Sequence, residues 1–386
     1  MEHYDVIVIG AGAMGMSAGY HAAASGRSAL MIDAFDPPHA QGTHHGETRI
    51  IRHAYGEGRE YTPMALRAQA LWAELERETG RELFLKTGFL QAGEPNSRML
   101  GEMIVSAREN GLPAELLDGA QMRKRWPGLT LPESFAGCYE ADSGVLLSEA
   151  CVQAYRDAAV ARGAAMLADT PVVAVRPDAG GADVVTAQGT FRAKSLVVTA
   201  GKFAGPMLAK LGLKRMPLAP IRKTVEWFRP ATADYAPDRF PAFLFDLPEG
   251  IYFGFPDIGG EGVKAGRHDG GFRPMPEDGV LPAHGAFADD GADCAAYVRR
   301  YMPGVVPDII RGSACTYTMT PDEHFILDRH PDYPHVAIGA GFSGHGFKFA
   351  SAIGEILAAL AAGEEPGFDL SLFALRRFNQ LTTREG

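Results

Sequence analysis

Cysteine is scarce in this chain, and its spacing excludes two common uses. The 386 residues contain four cysteines, and no two of them form a CxxC pair. A zinc-finger spacing is therefore absent, and cysteines so far apart argue against a disulfide framework. We predict no metal site. The cysteines are Cys138, Cys151, Cys294 and Cys315.

The sequence also lacks long apolar runs and an excess of positive charge. No uninterrupted apolar stretch approaches the roughly 20 residues of a membrane span, and the N-terminus enters a strand pattern at once, without the regions of a signal peptide. The C-terminal TTREG carries no retention or anchoring signal. The net charge of -10 argues against nucleic-acid binding, which depends on Lys and Arg that neutralise phosphates. We expect a soluble cytoplasmic protein of about two to three domain units, with no nucleic-acid or membrane partner.

The most informative segment is YDVIVIGAGAMGMSAGYHAAASGRSALMIDA, close to the N-terminus. Its first apolar run, 6–9, is rich in β-branched residues and is typical of a buried parallel strand. An alanine-rich helix is predicted from 16 to 25. A second apolar run, 29–32, ends at Asp33, which completes a strand–turn–helix–strand–Asp unit.

The turn of this unit has the spacing of a dinucleotide-binding motif. Gly10 permits the tight turn, Gly12 lets the backbone approach a pyrophosphate, and Gly15 lets the helix pack on the strand. Asp33 can accept a hydrogen bond from a ribose hydroxyl, and its charge disfavours NADP. GxGxxG alone is a weak signal, but the complete unit favours a dinucleotide site over a glycine-rich turn without a ligand. FAD and NAD are both open at this point.

The remainder of the chain predicts a different architecture between two nucleotide-type ends. Ser148 is expected to cap a helix that runs to about 161. The segment 217–320 is rich in aromatics and prolines, which is typical of antiparallel sheet, and a strand, a glycine-rich turn and a helix at 346–361 close the chain. We therefore predict an α/β fold (α+β overall), in which a Rossmann-type domain carries an inserted antiparallel-sheet substrate domain. The Rossmann-type domain comprises 1–82, 146–216 and 321–386, and the substrate domain comprises 83–145 and 217–320.

Two further segments gather positive charge or backbone donors. The stretch THHGETRIIRHAYGEGREY, 43–61, holds six Arg and His side chains in an acidic chain, and composition alone leaves open whether they face a nucleic acid, a phosphate, a carboxylate or solvent. The turn GFSGHGFK places Gly341, Gly344 and Gly346 before a helix N-terminus, where N–H groups can hold a negative group. Lys348 opposes the dipole of that helix, so it fits a ligand better than it fits the helix.

Several long strings carry a family resemblance over almost the whole length. They are DAFDPPH, HHGETRIIRHAYGEGREY, RWPG, DSGVL, GFP, ACTYT, DEHFILD and GFSGHGFKFAS. With these strings the chain resembles the monomeric sarcosine oxidase and N-methyltryptophan oxidase family, flavoproteins that oxidise N-methyl amino acids. The resemblance implies that the Rossmann-type domain binds FAD and not NAD. It also implies that Cys315 tethers the FAD through a thioether to the C8α methyl group of the flavin.

The resemblance assigns further contacts with the flavin. It places the Arg49 guanidinium near the ring, where a fixed cation raises the electron affinity of a group that becomes negative on reduction. Thr43, His44 and His45 belong to the loop that wraps the flavin, and His45 is counted with Arg49 among the catalytic residues. The turn at Gly344 belongs to the cofactor site.

The resemblance also assigns the substrate site. Arg52 and Lys348 correspond to residues that hold the substrate carboxylate, and Lys348 also belongs to the cofactor site. Lys264 matches a lysine over the flavin face where oxygen is reduced, and His268 matches a histidine near the bound amine. The two lie four residues apart, so two-residue alternation projects both from one face of a strand. Tyr317 is predicted to line the same cavity.

The implied reaction converts a small secondary amino acid and O2, with sarcosine first, to glycine, formaldehyde and hydrogen peroxide. The amine reacts in its neutral form, and cations such as Arg52, Lys348 and Lys264 depress the pKa of a nearby amine, which is about 10 when free. The enzyme is expected to act as a monomer.

The departures from the family pattern concern the size of the substrate. Phe253 stands where sarcosine oxidases carry Tyr, and Leu244 stands where they carry Met; both are implied to be near the substrate. N-methyl-L-tryptophan, or another secondary or cyclic amino acid such as proline, is therefore the alternative substrate. An NAD-dependent dehydrogenase and a non-oxidase flavoprotein are the alternatives of other classes.

Overall fold

The computed structural model describes residues 2–276 and 279–378, and these contain twenty strands and eight α-helices. The helices are α1 (Ala13–Ala24), α2 (Thr62–Thr79), α3 (Arg98–Glu109), α4 (Gly119–Arg125), α5 (Ser148–Ala161), α6 (Ala204–Lys210), α7 (Ala292–Tyr301) and α8 (Ala350–Ala361). The first ten strands are β1 (Glu2–Ile9), β2 (Ala29–Ile32), β3 (Thr48–Ile51), β4 (Phe84–Leu85), β5 (Phe89–Gly93), β6 (Glu115–Asp118), β7 (Ala136–Glu140), β8 (Gly144–Leu147), β9 (Ala165–Leu167) and β10 (Val172–Asp178). The others are β11 (Gly181–Thr186), β12 (Gly189–Val198), β13 (Ala219–Pro230), β14 (Ala242–Leu247), β15 (Gly250–Phe255), β16 (Val263–Arg267), β17 (Arg273–Pro274), β18 (Val305–Met319), β19 (Ile326–Arg329) and β20 (Val336–Ala340).

The described strands form three sheets. The first has eight strands in the order β10-β11-β12-β1-β2-β9, with β20 beside β12 and β19 beside β20. The second has nine strands in the order β17-β13-β16-β15-β14-β5-β7-β6, with β18 beside β13. A small third sheet has the order β3-β8-β4. None of the helices in 2–276 and 279–378 is both long and apolar enough to cross a membrane.

The predicted strand–turn–helix–strand unit is present at the centre of the first sheet. β1 pairs in parallel with both β2 and β12, and its apolar residues 6–9 are buried. The helix α1 lies close against this sheet because small residues face it: a Cβ at Gly19 would lie 2.3 Å from Met31 Sδ. On its other side α1 packs on α8, where a Cβ at Gly354 would lie 2.1 Å from Ser17 Oγ.

Three parallel strands of this sheet end level with one another and so define a ligand-binding edge. The register pairs Ile9 with Val198, and Val198 with Ile338. The residues after these strands, which include Gly10 and Thr199, therefore come together. In open α/β sheets the carboxyl ends of the strands are where ligands bind.

The long strands β13 and β18 form a two-stranded antiparallel ribbon through the second sheet. Their register runs from Ala219 opposite Met319 to Pro230 opposite Val305. It places Lys223 opposite Cys315. The chain therefore enters this part of the second sheet and leaves it at neighbouring positions.

The predicted fold class is confirmed, with differences in detail. The second sheet is antiparallel except where β5 runs parallel to β14 and joins the segment near 90 to the segment near 245. The helix predicted from 16 begins at Ala13, and the last helix begins with a 3-10 turn at Phe347–Phe349. Ser148 does not cap α5: Leu147 takes the N-cap position, and Ser148 is the first helical residue.

The division into two discontinuous domains remains a proposal. All strands of the eight-stranded sheet fall in the segments assigned to the FAD-binding domain, and all strands of the nine-stranded sheet fall in those assigned to the substrate domain. The three-stranded sheet takes one strand from the first set, β3, one from the second, β4, and β8 from the boundary near 145.

Candidate functional site

One elongated cavity of about 510 Å³ runs from the turn after β1 to the turn before α8. Its volume lies within the roughly 300–1,000 Å³ of small-molecule sites. Both sheets contribute to its wall, with Gly10 and Gly12 at one end and Lys264, Cys315 and Lys348 at the other. The described residues contain no cluster of His, Cys, Asp and Glu side chains suited to a metal ion.

The glycines at the first end leave room that side chains would fill. Gly10 has φ +90°, and a Cβ there would lie 2.5 Å from Thr199 O. A Cβ at Gly15 would lie 2.1 Å from Gly10 O, so Gly15 serves helix packing and does not itself line the cavity. A Cβ at Gly12 would meet only His44, with Nδ1 3.7 Å away, so the backbone at Gly12 is open to a ligand. This cradle at the N-terminus of α1 fits a pyrophosphate.

The loop after β2 runs from Asp33 along the cavity. Asp33 is buried, lines the cavity and accepts a hydrogen bond from Phe35 N at 3.0 Å. Farther along, His44 Nε2 accepts a hydrogen bond from His39 N at 3.0 Å. Burial lowers the pKa of His44 to about 3 and that of His45 to about 4. Both imidazoles are therefore neutral near pH 7, and with Thr43 they line the cavity as polar groups without charge.

Backbone carbonyls hold two cations in the middle of the cavity. Arg49 Nη2 donates to Thr43 O at 2.6 Å and to His45 O at 2.7 Å. Lys264 Nζ donates to Gly46 O and, at 3.1 Å, to Thr48 Oγ1. Burial, reinforced by the charge of Arg49, lowers the pKa of Lys264 well below its usual value. Carbonyl oxygens orient both cations without neutralising them.

Cys315 lies among these cations in the cavity wall. Burial raises the pKa of its thiol, whereas Arg49, Lys264 and Lys223 act to lower it. Lys223 lies directly across the β13–β18 ribbon, and its Nζ donates to Gly270 O at 2.7 Å. A cysteine with three cationic neighbours has an environment that favours the thiolate over the thiol more than burial alone allows.

Arg52 is paired with a carboxylate that we did not include among the predicted site residues. Its Nη2 lies 2.5 Å from both carboxylate oxygens of Glu57, and its guanidinium carbon lies 4.2 Å from the centre of the Tyr55 ring. Arg52 is 2% exposed. Burial would raise the pKa of Glu57, but Arg52 and the neighbouring cations lower it to about 2, so Glu57 is ionised. Nη1 makes only a 3.4 Å contact, with Ala54 O, and can still bind a ligand.

Lys348 is the least neutralised cation at the substrate end. Its Nζ donates to His345 O at 2.9 Å and to the Tyr55 hydroxyl at 3.2 Å. That hydroxyl also lies 2.7 Å from His345 Nδ1. Burial, together with the charge of Arg52, lowers the pKa of Lys348 to about 7.

The remaining wall of this end is mostly apolar. Leu244, Phe253 and Tyr317 line it as predicted, and His268 lies at the end of β16, just after the strand that carries Lys264. Burial lowers the pKa of His268 to about 4, so the imidazole is neutral and does not add to the positive charge. The His268 and Tyr317 rings lie 5.8 Å apart.

The cavity brings together all of the predicted site residues except Gly15. Sequence reasoning missed Glu57, Tyr55, His345 and Lys202, all of which lie in the site, the first three around Arg52 and Lys348. Lys202 had an available signal, because it follows the Ala–Gly pair at the carboxyl end of a buried parallel strand.

Comparisons with known proteins agree with this geometry. The model of a family described as FAD dependent oxidoreductase matches residues 5–360. Monomeric sarcosine oxidase from Bacillus sp. (strain B-0618) is 47% identical over 379 residues, which are 97% of this chain and 96% of that protein. N-methyl-L-tryptophan oxidase from Yersinia pestis (strain Pestoides F) is 42% identical over 376 residues, 97% of this chain and 99% of that protein.

Solved structures with lower sequence identity share the fold. L-proline dehydrogenase from P. horikoshii is 21% identical, with a TM-score of 0.85 and coverage of 98% of each chain. NikD, described as an unusual amino acid oxidase essential for nikkomycin biosynthesis, is 24% identical, with a TM-score of 0.84 and coverage of 97% of this chain and 98% of that one.

Proposed function

Because this chain belongs to the FAD dependent oxidoreductase family, among the relatives of monomeric sarcosine oxidase and N-methyl-L-tryptophan oxidase, we propose that it oxidises the N-methyl group of a small secondary amino acid, with sarcosine first. Sarcosine, water and O2 would give glycine, formaldehyde and hydrogen peroxide. The observation that carries the proposal is a single cavity that joins a dinucleotide cradle to Arg52 and Lys348, two cations suited to a carboxylate.

The family settles FAD over NAD, and the first end of the cavity would hold its dinucleotide part. Gly10 and Gly12 provide the turn, the N-terminus of α1 faces the pyrophosphate, and Asp33 accepts from a ribose hydroxyl. When bound, FAD supplies the two-electron chemistry, taking a hydride equivalent from the substrate and passing the electrons to O2. Arg49, fixed by backbone carbonyls, would stabilise negative charge on the flavin ring.

We propose that the flavin is attached covalently at Cys315. The support is the position of this thiol in the cavity wall with Arg49, Lys264 and Lys223 as charged neighbours. The thiolate is the nucleophilic form of cysteine, and nearby cations stabilise it.

Arg52 and Lys348 would bind the substrate carboxylate. Lys348 Nζ has no carboxylate within ion-pair distance among residues 2–276 and 279–378, so its charge is available. Arg52 already holds Glu57 through Nη2, so a second carboxylate would bind through its other nitrogens or displace Glu57. The carboxylate would thus fix the amino acid at one point, from which its N-methyl group reaches the reactive region.

The same charges would keep the substrate amine neutral. An ammonium has no lone pair to release, and nearby positive charge lowers the pKa of an amine. The pKa of Lys348 is about 7, and a bound carboxylate raises it, so substrate binding itself would charge this lysine. Neutral His268 fits a role beside the amine as a hydrogen-bonding group without charge.

Lys264 would assist the reaction with oxygen. Its ammonium is buried and held by Gly46 and Thr48, so it is in place before the reaction begins. Reduction of O2 proceeds through anionic oxygen, which a fixed cation in a water-poor cavity stabilises.

A peroxide-release screen tests the proposal. Purified protein, with its flavin spectrum recorded first, is offered sarcosine, N-methyl-L-tryptophan and L-proline in a peroxidase-coupled assay. Peroxide and formaldehyde from sarcosine are the expected result. The apolar wall at Leu244 and Phe253 favours trying the larger N-methyl-L-tryptophan as second candidate. Full flavin content without peroxide from any of the three would contradict the proposal.

We further propose that the enzyme is a cytoplasmic monomer whose partners are the amino acid and O2. The name of the sarcosine oxidase relative supports the monomeric state. Sedimentation of the holoenzyme tests it, with a mass near the 41.3 kDa of one chain expected.

A further inference from the structure

Lys202 is a buried cation in the cavity wall that lacks an anionic partner. It is 7% exposed, and its Nζ makes one hydrogen bond, to Gln41 Oε1 at 3.0 Å. Among residues 2–276 and 279–378 no carboxylate lies within ion-pair distance of it. Burial alone accounts for the lowered pKa of Lys202, with no charge of either sign contributing. Burying an ammonium without an anion costs several kcal/mol, so this site is completed when an anion binds.

The other cations of the cavity lie elsewhere or are satisfied by the protein. Arg49 and Lys264 are held by carbonyls in the middle of the cavity, and Arg52 is paired with Glu57 at the far end. Lys210, at the rim, is exposed and donates to Val172 O and Val173 O. Lys202 is thus the buried lysine that remains for the cofactor end.

The position of Lys202 indicates which anion it meets. β12 runs beside β1 and ends level with it, at Val198 opposite Ile9. The chain then turns through Thr199, whose carbonyl oxygen a Cβ at Gly10 would meet at 2.5 Å, and reaches Lys202 three residues later. Lys202 therefore stands beside the turn that receives the pyrophosphate.

The charge at this end is incomplete without Lys202. A dinucleotide pyrophosphate carries two negative charges, whereas the N-terminus of a helix offers roughly half a positive charge. The residues next to the turn are uncharged, because burial keeps His44 neutral. The first turn of α1 contains no acidic residue that would oppose an anion.

We propose that Lys202 is the counter-charge of the FAD pyrophosphate, with Gln41 holding its ammonium beside the phosphates. This assigns to Lys202 a cofactor-binding role that GxGxxG spacing does not reveal. The inference rests on FAD as the cofactor and is independent of which amine the enzyme oxidises. A test based on flavin binding therefore separates its failure from failure of the proposed function.

The experiment compares flavin affinities in the full-length chain carrying Cys315→Ser, so that no thioether forms. After the flavin is removed in concentrated salt, the dissociation constants of FAD and riboflavin are measured by quenching of flavin fluorescence. Lys202→Gln is expected to weaken FAD binding roughly 10- to 100-fold. Riboflavin, which lacks the pyrophosphate, should change less than about twofold. Lys202→Arg should restore most of the FAD affinity.

Two controls complete the design. Lys210→Gln removes the same charge from the cavity rim and should leave FAD affinity within about twofold. FAD affinity should fall less steeply with salt in Lys202→Gln than with Lys202 present, because one charge pair is missing. Equal losses for FAD and riboflavin, no loss for either, or unchanged salt dependence would each overturn the proposal.

Discussion

The pKa of Lys348 gives a prediction that can be worked through in numbers. Its ammonium is the proposed anchor of the substrate carboxylate, and its pKa in the free enzyme is about 7. Because the shift is downward, the charged form is fully populated below pH 6 and is lost as the pH rises through 7. Carboxylate affinity should therefore fall on the alkaline side.

The magnitude follows from the population of the charged form. At pH 8 about one tenth of Lys348 is protonated, and at pH 9 about one hundredth, so the dissociation constant of a carboxylate should rise about tenfold per pH unit above 7. Neighbouring groups do not imitate this titration, since the pKa values of Glu57, His268 and His345 are about 2, 4 and 3. Removal of the charge by Lys348→Met should weaken binding at pH 6 by about 30-fold or more.

Acetate is the suitable ligand for the assay, because it carries the carboxylate without a titrating amine. Its binding to the oxidised holoenzyme is followed through the flavin absorption spectrum between pH 6 and 9. The native enzyme should show the tenfold slope, and Lys348→Met should show weak binding that does not change with pH. A flat profile in the native enzyme, or the same slope in Lys348→Met, would refute the reasoning, including the assignment of the titration to Lys348 and not to Lys264.

Three further predictions address the rest of the cavity. Lys264→Met should leave flavin reduction by substrate intact but slow reoxidation by O2, and stopped-flow traces with both half-reactions unchanged would rule out the proposed role. Cys315→Ala should leave the bound FAD extractable by acid, whereas a precipitate that stays yellow would contradict the thioether. Gly15→Ala should destabilise the protein by about 2 kcal/mol or more and lower its flavin content, because the new Cβ would lie 2.1 Å from Gly10 O; an unchanged melting temperature would show that α1 can shift without cost.

The N-terminal unit was predictable because its signals are local. An apolar strand, three glycines at fixed spacing and an acid after the second strand are all read within about thirty residues. The structure contains this unit at the centre of the first sheet, with one difference, the start of α1 at Ala13. The assignments of Arg49, Lys264 and Cys315 came from family resemblance, since nothing in their spacing brings them to one cavity.

The remaining contacts depend on distant parts of the chain and leave no local pattern. Tyr55 and His345 share a hydrogen bond across 290 residues of sequence. The parallel pairing of β5 with β14 was equally hidden, because alternating apolar residues specify a face of a strand and not its direction. Ser148 shows the limit of a cap rule: the residue before it has the extended conformation of an N-cap, so Ser148 itself becomes helical.

The β13–β18 ribbon has an evolutionary consequence. With Ala219 opposite Met319, the whole span between them is joined to the α/β part like one hairpin with a very large loop. Segments whose two ends meet can be lengthened, reshaped or exchanged without distorting their host. Cys315 lies close to the base of this hairpin and Phe253 within its loop, so selection could remodel the amine pocket while the flavin's point of attachment stayed fixed.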